Sequence, residues 1–181
     1  MIAHLVQTGF GSFYDGVAHA LVSIEDLLLI VGLGLLSGLR GRAVARGVVI
    51  ALPLAWLVGA AAGALLGGPT SMAVATSLTF LGVGALVALD ARLQRSVVVA
   101  LAAAGGAFHG YLNGVALREL DGVALAISGV VLAVFTLVTF TGSFAACSTG
   151  PHWRRVAVRV AGSWMAAIGL LMVGWSIRGG A

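Results

Sequence analysis

Of the 181 residues, 60% are hydrophobic and only 9% are charged, and several long segments carry no charge at all. Such a composition excludes an ordinary soluble domain and marks an integral membrane protein. The net charge of +4 is carried by arginines at the borders of the apolar stretches. It therefore calls for no nucleic-acid partner, since no soluble domain or base-stacking platform accompanies it.

The chain begins with a segment, Met1 to Asp15, that lacks the basic start and apolar core of a secretory signal. The first apolar run, Val17 to Leu39, is expected to insert as its own reverse anchor. It contains His19 and, six and seven residues later, the adjacent carboxylates Glu25 and Asp26. Charge is costly in hydrocarbon, so ionisable groups there face a bundle interior or an aqueous path. Whether this helix stays continuous through Glu25 and Asp26 or breaks there is left open by the sequence. Side chains of neighbouring residues diverge by about 100° on a helix, so at most one of the two carboxylates faces a narrow path.

The second run, Val44 to Leu66, carries Pro53, where a missing donor should kink the axis unless a neighbour compensates. It also carries a small-residue stripe, Ala55, Gly59, Gly63 and Gly67. Pro69 then closes an outer turn before the third run, Met72 to Leu89. The hydroxyls of Ser71, Thr76, Ser77 and Thr79 are expected to lack titratable neighbours. The fourth run, Val97 to Leu117, holds His109 and Asn113 and a second stripe, Ala102, Gly106, Gly110 and Gly114. Such stripes let backbones approach closely in lipid. The fifth run, Gly122 to Ala146, ends at Cys147, the one cysteine, which can form no internal disulfide. Pro151 separates it from the sixth, Val156 to Ile177.

Each run reaches or approaches the roughly 20 residues that a hydrocarbon core of about 30 Å requires, and no alternating pattern suggests a barrel. The expected fold is therefore all-α: one domain, a bundle of six transmembrane helices. There is no lysine, and eight arginines (Arg40, Arg42, Arg46, Arg92, Arg95, Arg154, Arg155 and Arg159) fall on one side of that bundle. Arg118 and Arg178 fall on the other. The positive-inside rule then places both termini outside.

Counting about 1.5 Å per residue from the outer boundary puts Asp26 about 13 Å deep and His109 about 12 Å. His19 comes out at about 3 Å and Asn113 at about 6 Å. His19, Glu25, Asp26, His109 and Asn113 are therefore candidates to line one outward-opening path. No nucleophile, oriented base and oxyanion donor can be assembled, so an enzyme is not expected.

The same residues resemble the HupE/UreJ family, small membrane proteins regarded as nickel or cobalt permeases linked to hydrogenase and urease maturation. That family's first helix carries His-x5-Asp-His, which here reads His19-x5-Glu25-Asp26. A later helix carries Phe-His-Gly-x-Ala-His-Gly-x-Glu, here Phe108-His109-Gly110-Tyr111-Leu112-Asn113-Gly114-Val115-Ala116. Both second histidines are replaced, the final glutamate is Ala116, and the proline that follows the family's first histidine is Ala20. His4 falls where such proteins often carry a histidine before the first helix.

The resemblance implies a metal role for His19, Glu25 and His109, with Asp26 and Asn113 at ligand positions of different chemistry. Imidazole suits nickel, copper and zinc, whereas carboxylate and amide oxygens suit harder ions. The implied protein is a bacterial inner-membrane permease for a divalent cation (nickel, cobalt, copper or zinc), with no firm resident cofactor. The alternative is a non-transporting subunit of a larger membrane complex, assembled through the glycine stripes. Expected partners are the bilayer, the metal ion, and a second copy or a membrane-complex protein.

Overall fold

The computed structural model describes residues 8–147 and 152–179; His4 and Pro151 lie outside the described residues. The described residues form seven helices: α1 (Ser12–Val22), α2 (Ile24–Leu39), α3 (Arg42–Leu66), α4 (Ala73–Ala88), α5 (Arg95–Leu117), α6 (Val123–Cys147) and α7 (His152–Gly179). The protein is a helical membrane protein, but its helices are not six equal spans. Four of them, α3, α5, α6 and α7, are long and apolar enough to cross a membrane. The segment expected as one helix from Val17 to Leu39 starts earlier and breaks into α1 and α2, which meet at 73° and together make a fifth candidate. The remaining helix, α4, has only 16 residues, about 24 Å at 1.5 Å per residue.

Ser23 is the break. Its backbone is extended, yet its N–H still donates to the His19 carbonyl at 3.0 Å and its own carbonyl accepts from Leu27 at 2.9 Å. It thus closes α1 and opens α2. Ser23-Ile24-Glu25-Asp26 has the serine-x-x-acid spacing that favours a helix start, although the Ser23 hydroxyl makes no capping bond here. Both carboxylates consequently fall in the first turn of α2, where unpaired N–H groups and the helix dipole favour negative charge. α3, by contrast, continues through Pro53.

Close packing is built from glycine. On α3, a Cβ at Gly59 would collide with the Ala107 carbonyl oxygen and one at Gly63 with that of Tyr111; on α5, Gly110 and Gly114 sit in the same way against the carbonyls of Trp56 and Ala60. The two stripes therefore face each other, and α3 lies backbone to backbone on α5. The same device joins Gly34 and Gly38 of α2 to Thr141 and Gly142 of α6, Gly16 of α1 to Ala126 of α6, and Gly84 of α4 to Gly162 of α7. Leu29, Ile30, Leu33, Leu36, Leu52, Trp56 and Phe80 fill the centre. Trp164, Leu170, Leu171 and Trp175 of α7 remain exposed, as befits a lipid-facing surface.

The two ends of the bundle are tied by polar contacts. At one end, Asp90, just beyond α4, accepts from Arg40 at the end of α2 and from Arg155 in the first turns of α7, the latter at 2.6 Å. Arg159 donates to the Ala88 carbonyl at 2.9 Å. At the other end, the Tyr111 hydroxyl bonds the Gly67 carbonyl and the Ser12 hydroxyl bonds that of Asp121. α4 therefore runs from the end where α3 finishes to the end where α2 finishes, despite its length.

Candidate functional site

Three of the five sequence candidates meet where α2 begins. Asp26 is the third residue of α2, and His109 and Asn113 stand one turn apart on α5, so their side chains share a face. His109 Nδ1 lies 2.7 Å from Asp26 Oδ1, and Asn113 Nδ2 donates to Asp26 Oδ2 at 2.9 Å. All three side chains are buried; His109 is 1% exposed. The imidazole packs against Trp56, with ring centroids 5.8 Å apart, and edge-on to Phe108 at 5.4 Å. Its far nitrogen, Nε2, is 2.9 Å from the Thr79 hydroxyl of α4.

The cluster engages both oxygens of Asp26 and both nitrogens of His109. One acceptor is left over. Asn113 Oδ1 is buried without a hydrogen-bond partner, and an unmet buried carbonyl costs about 1–3 kcal/mol. Because the Asn113 amide nitrogen must face the carboxylate, the oxygen is forced to the other side of the same side chain.

Glu25 and His19 do not join this cluster. Glu25 is half-exposed and makes no hydrogen bond or ion pair among the described residues. It is the carboxylate that the helical angle turns away from α5. His19 is buried on α1, within electrostatic reach of Asp26, but it bonds none of the three. The straight-helix depth count set Asn113 about 7 Å, a little over one helical turn, above Asp26, whereas the two side chains touch. The bend at Ser23 is the reason, since α1 does not descend along the axis of α2.

Thr79 is the residue that sequence reasoning missed. Its titratable neighbour lies 30 positions away on another helix, so the chain around it gives no local sign. The available signal was coarser, namely three hydroxyls (Thr76, Ser77 and Thr79) in four positions of an otherwise apolar run.

The cluster lies at the first turn of a helix that restarts at a break in an apolar span. Discontinuous membrane helices are a recurring way to aim a helix N-terminus and unpaired polar groups at a solute. The HupE / UreJ protein family matches residues 1–172, almost the whole chain. The chain belongs to the HupE/UreJ family. No curated protein and no solved structure matches it.

For a HupE/UreJ protein, the donor set is lean. Among the described residues no three His, Cys, Asp or Glu side chains are gathered to hold a metal ion. What the HupE/UreJ positions bring together here is one carboxylate, one imidazole and one amide. Such a mixed set suits both nickel-like and harder divalent ions less tightly than several imidazoles would suit the former.

Proposed function

We propose that this HupE/UreJ protein is a permease that moves a divalent transition-metal cation, of the nickel or cobalt class, inward across the bacterial inner membrane. α1 with α2 and the short α4 count as crossings in this reading, giving six. The arginine-bearing end faces the cytoplasm and both termini lie outside, by the positive-inside rule. The buried Asp26–His109–Asn113 cluster at the broken helix is the observation that carries the proposal.

The substrate cation is recognised by charge and by lone pairs. Asp26 supplies the negative charge, held at the N-terminus of α2 where it needs no arginine. His109 Nδ1 supplies the nitrogen, and Asn113 Oδ1, which otherwise has nothing to bond, supplies an oxygen once the amide turns over to face the ion. Entry of the ion takes the place of the proton between Asp26 and His109. A three-ligand protein set with one amide binds weakly enough for the ion to leave again, which conduction requires. With no nucleotide-binding motif in the chain, movement follows a gradient.

The alternative of a non-transporting subunit assembled through the glycine stripes finds no free stripe, because α3 and α5 consume theirs on each other. Uptake of nickel into proteoliposomes tests the proposal. Wild-type protein should load the vesicles, and Asp26→Asn and His109→Ala should each lose uptake; undiminished flux in both rejects it.

A further inference from the structure

We infer that Thr79 of α4 is a positioning residue that fixes the tautomer of His109, so that Nε2 keeps its proton and Nδ1 is the nitrogen presented to the cation. The part that concerns the cation rests on the transport reading above; the part that concerns the ring does not.

A threonine hydroxyl has one proton to give. Thr79 Oγ1 lies 2.6 Å from the Thr76 carbonyl oxygen, which can only accept, so the proton is committed there. The lone pairs that remain face His109 Nε2 at 2.9 Å, and at that contact the ring must be the donor. An imidazole with Nε2–H turns Nδ1 toward Asp26 Oδ1, 2.7 Å away, and the second proton of that contact is held between Nδ1 and the carboxyl group until a cation displaces it. Trp56 and Phe108 pack on the ring, so rotating it to exchange the two nitrogens would need both to move. Histidines that bind metals commonly donate the other ring N–H to an oxygen, which sets both orientation and basicity.

The surroundings of Thr79 make its hydroxyl hard to replace. On its other side Thr79 lines a cleft of about 600 Å³ between α4 and α5. The rest of that lining is aliphatic, glycine or Phe108, so no other side chain there can accept from Nε2. α4 and α5 otherwise scarcely touch. α4 is held in place by its packing on α7 and α2, and the Thr79–His109 bond is a polar tie from it to α5.

The test uses full-length protein in lipid nanodiscs with 15N-labelled histidine, compared with Thr79→Val, which matches the shape, and Thr79→Ser, which keeps the hydroxyl. The His109 signals are identified by their loss in His109→Gln. In metal-free wild type and Thr79→Ser, Nε2 should be protonated; in Thr79→Val that preference should disappear. Titration with cobalt(II), followed by its visible absorption, should show affinity kept in Thr79→Ser and reduced about 10–100-fold in Thr79→Val. An unprotonated Nε2 in the wild type, or a valine variant with unchanged ring signals and cobalt affinity, overturns the inference. If the wild type binds no cobalt, the transport reading falls, and the ring signals alone still decide the role of Thr79.

Discussion

Asp26 and His109 stand 83 positions apart in the sequence, yet their side chains meet at 2.7 Å in the interior of the bundle. This contact separates two carboxylates that are neighbours in the chain. Asp26→Asn keeps the shape of the side chain but removes the charge and leaves His109 Nδ1 opposite an amide. Glu25→Gln removes a charge that bonds nothing among the described residues. Nickel flux in proteoliposomes should therefore vanish in Asp26→Asn and persist in Glu25→Gln. Equal loss in both would mean that total negative charge at the start of α2, and not the geometry of Asp26, governs passage.

Asn113 occupies a position where the family resemblance implies a histidine. Replacing it tests what the amide does. Asn113→His introduces an imidazole one turn from His109 on the same face of α5, and imidazole is the better ligand for nickel than amide oxygen. Nickel binding measured by calorimetry should tighten, by about tenfold or more for a gain of about 1.4 kcal/mol, and turnover in vesicles should slow because release becomes harder. Unchanged affinity would show that position 113 does not reach the ion.

These contrasts mark what the sequence could and could not disclose. Asp26, His109 and Asn113 were legible as polar groups in apolar spans, because lipid gives such residues no ordinary surface role. The four-residue spacing that puts His109 and Asn113 on one face of α5 is present in the sequence, although the depth count set the two on separate levels. The glycine stripes marked α3 and α5 as closely packing helices, since helix periodicity places every fourth residue on nearly one line; that the two stripes face each other is seen only in the structure. The break at Ser23 was less legible: the helix-start spacing Ser23-x-x-Asp26 is present, but in an apolar run it competes with the simpler reading of one continuous span. Counting depth along a straight axis then set Asn113 on a different level from Asp26, which it touches. Thr79 was illegible because its partner is brought to it by packing between helices distant in sequence.

Asp90 clasps two arginines of unequal burial, which predicts unequal costs. The Arg40 side chain is 10% exposed and that of Arg155 is 45% exposed. Removing the charge of Asp90 leaves Arg40 facing no counter-charge in a largely dry site, a loss near the lower end of the about 3–5 kcal/mol expected for breaking a buried pair. Arg155→Ala should cost only about 0–1 kcal/mol, since water screens the exposed guanidinium. Asp90 has φ +52°, a conformation that asparagine tolerates well. Asp90→Asn therefore isolates the charge from the backbone. Denaturation followed by circular dichroism in mild detergent should rank Asp90→Asn well below Arg155→Ala, and a reversed order would refute the clasp.

Two glycines allow the packing argument to be tested with the same chemical change. A Cβ at Gly110 would strike the Trp56 carbonyl oxygen and crowd the Trp56 Cα at 2.8 Å, both of them backbone atoms that cannot swing aside. A Cβ at Gly82 meets nothing within 4 Å. Gly110→Ala should force α3 and α5 apart, costing about 1–3 kcal/mol as overpacking does. Because Trp56 also packs on the His109 ring, the same shift should disturb the Asp26 cluster and lower nickel flux. Gly82→Ala should be neutral or stabilise the protein by up to about 1 kcal/mol through helix propensity, with flux intact. Melting temperatures and uptake measured side by side check both halves, and a Gly110→Ala protein as stable and active as Gly82→Ala would mean that the two helices do not meet backbone to backbone.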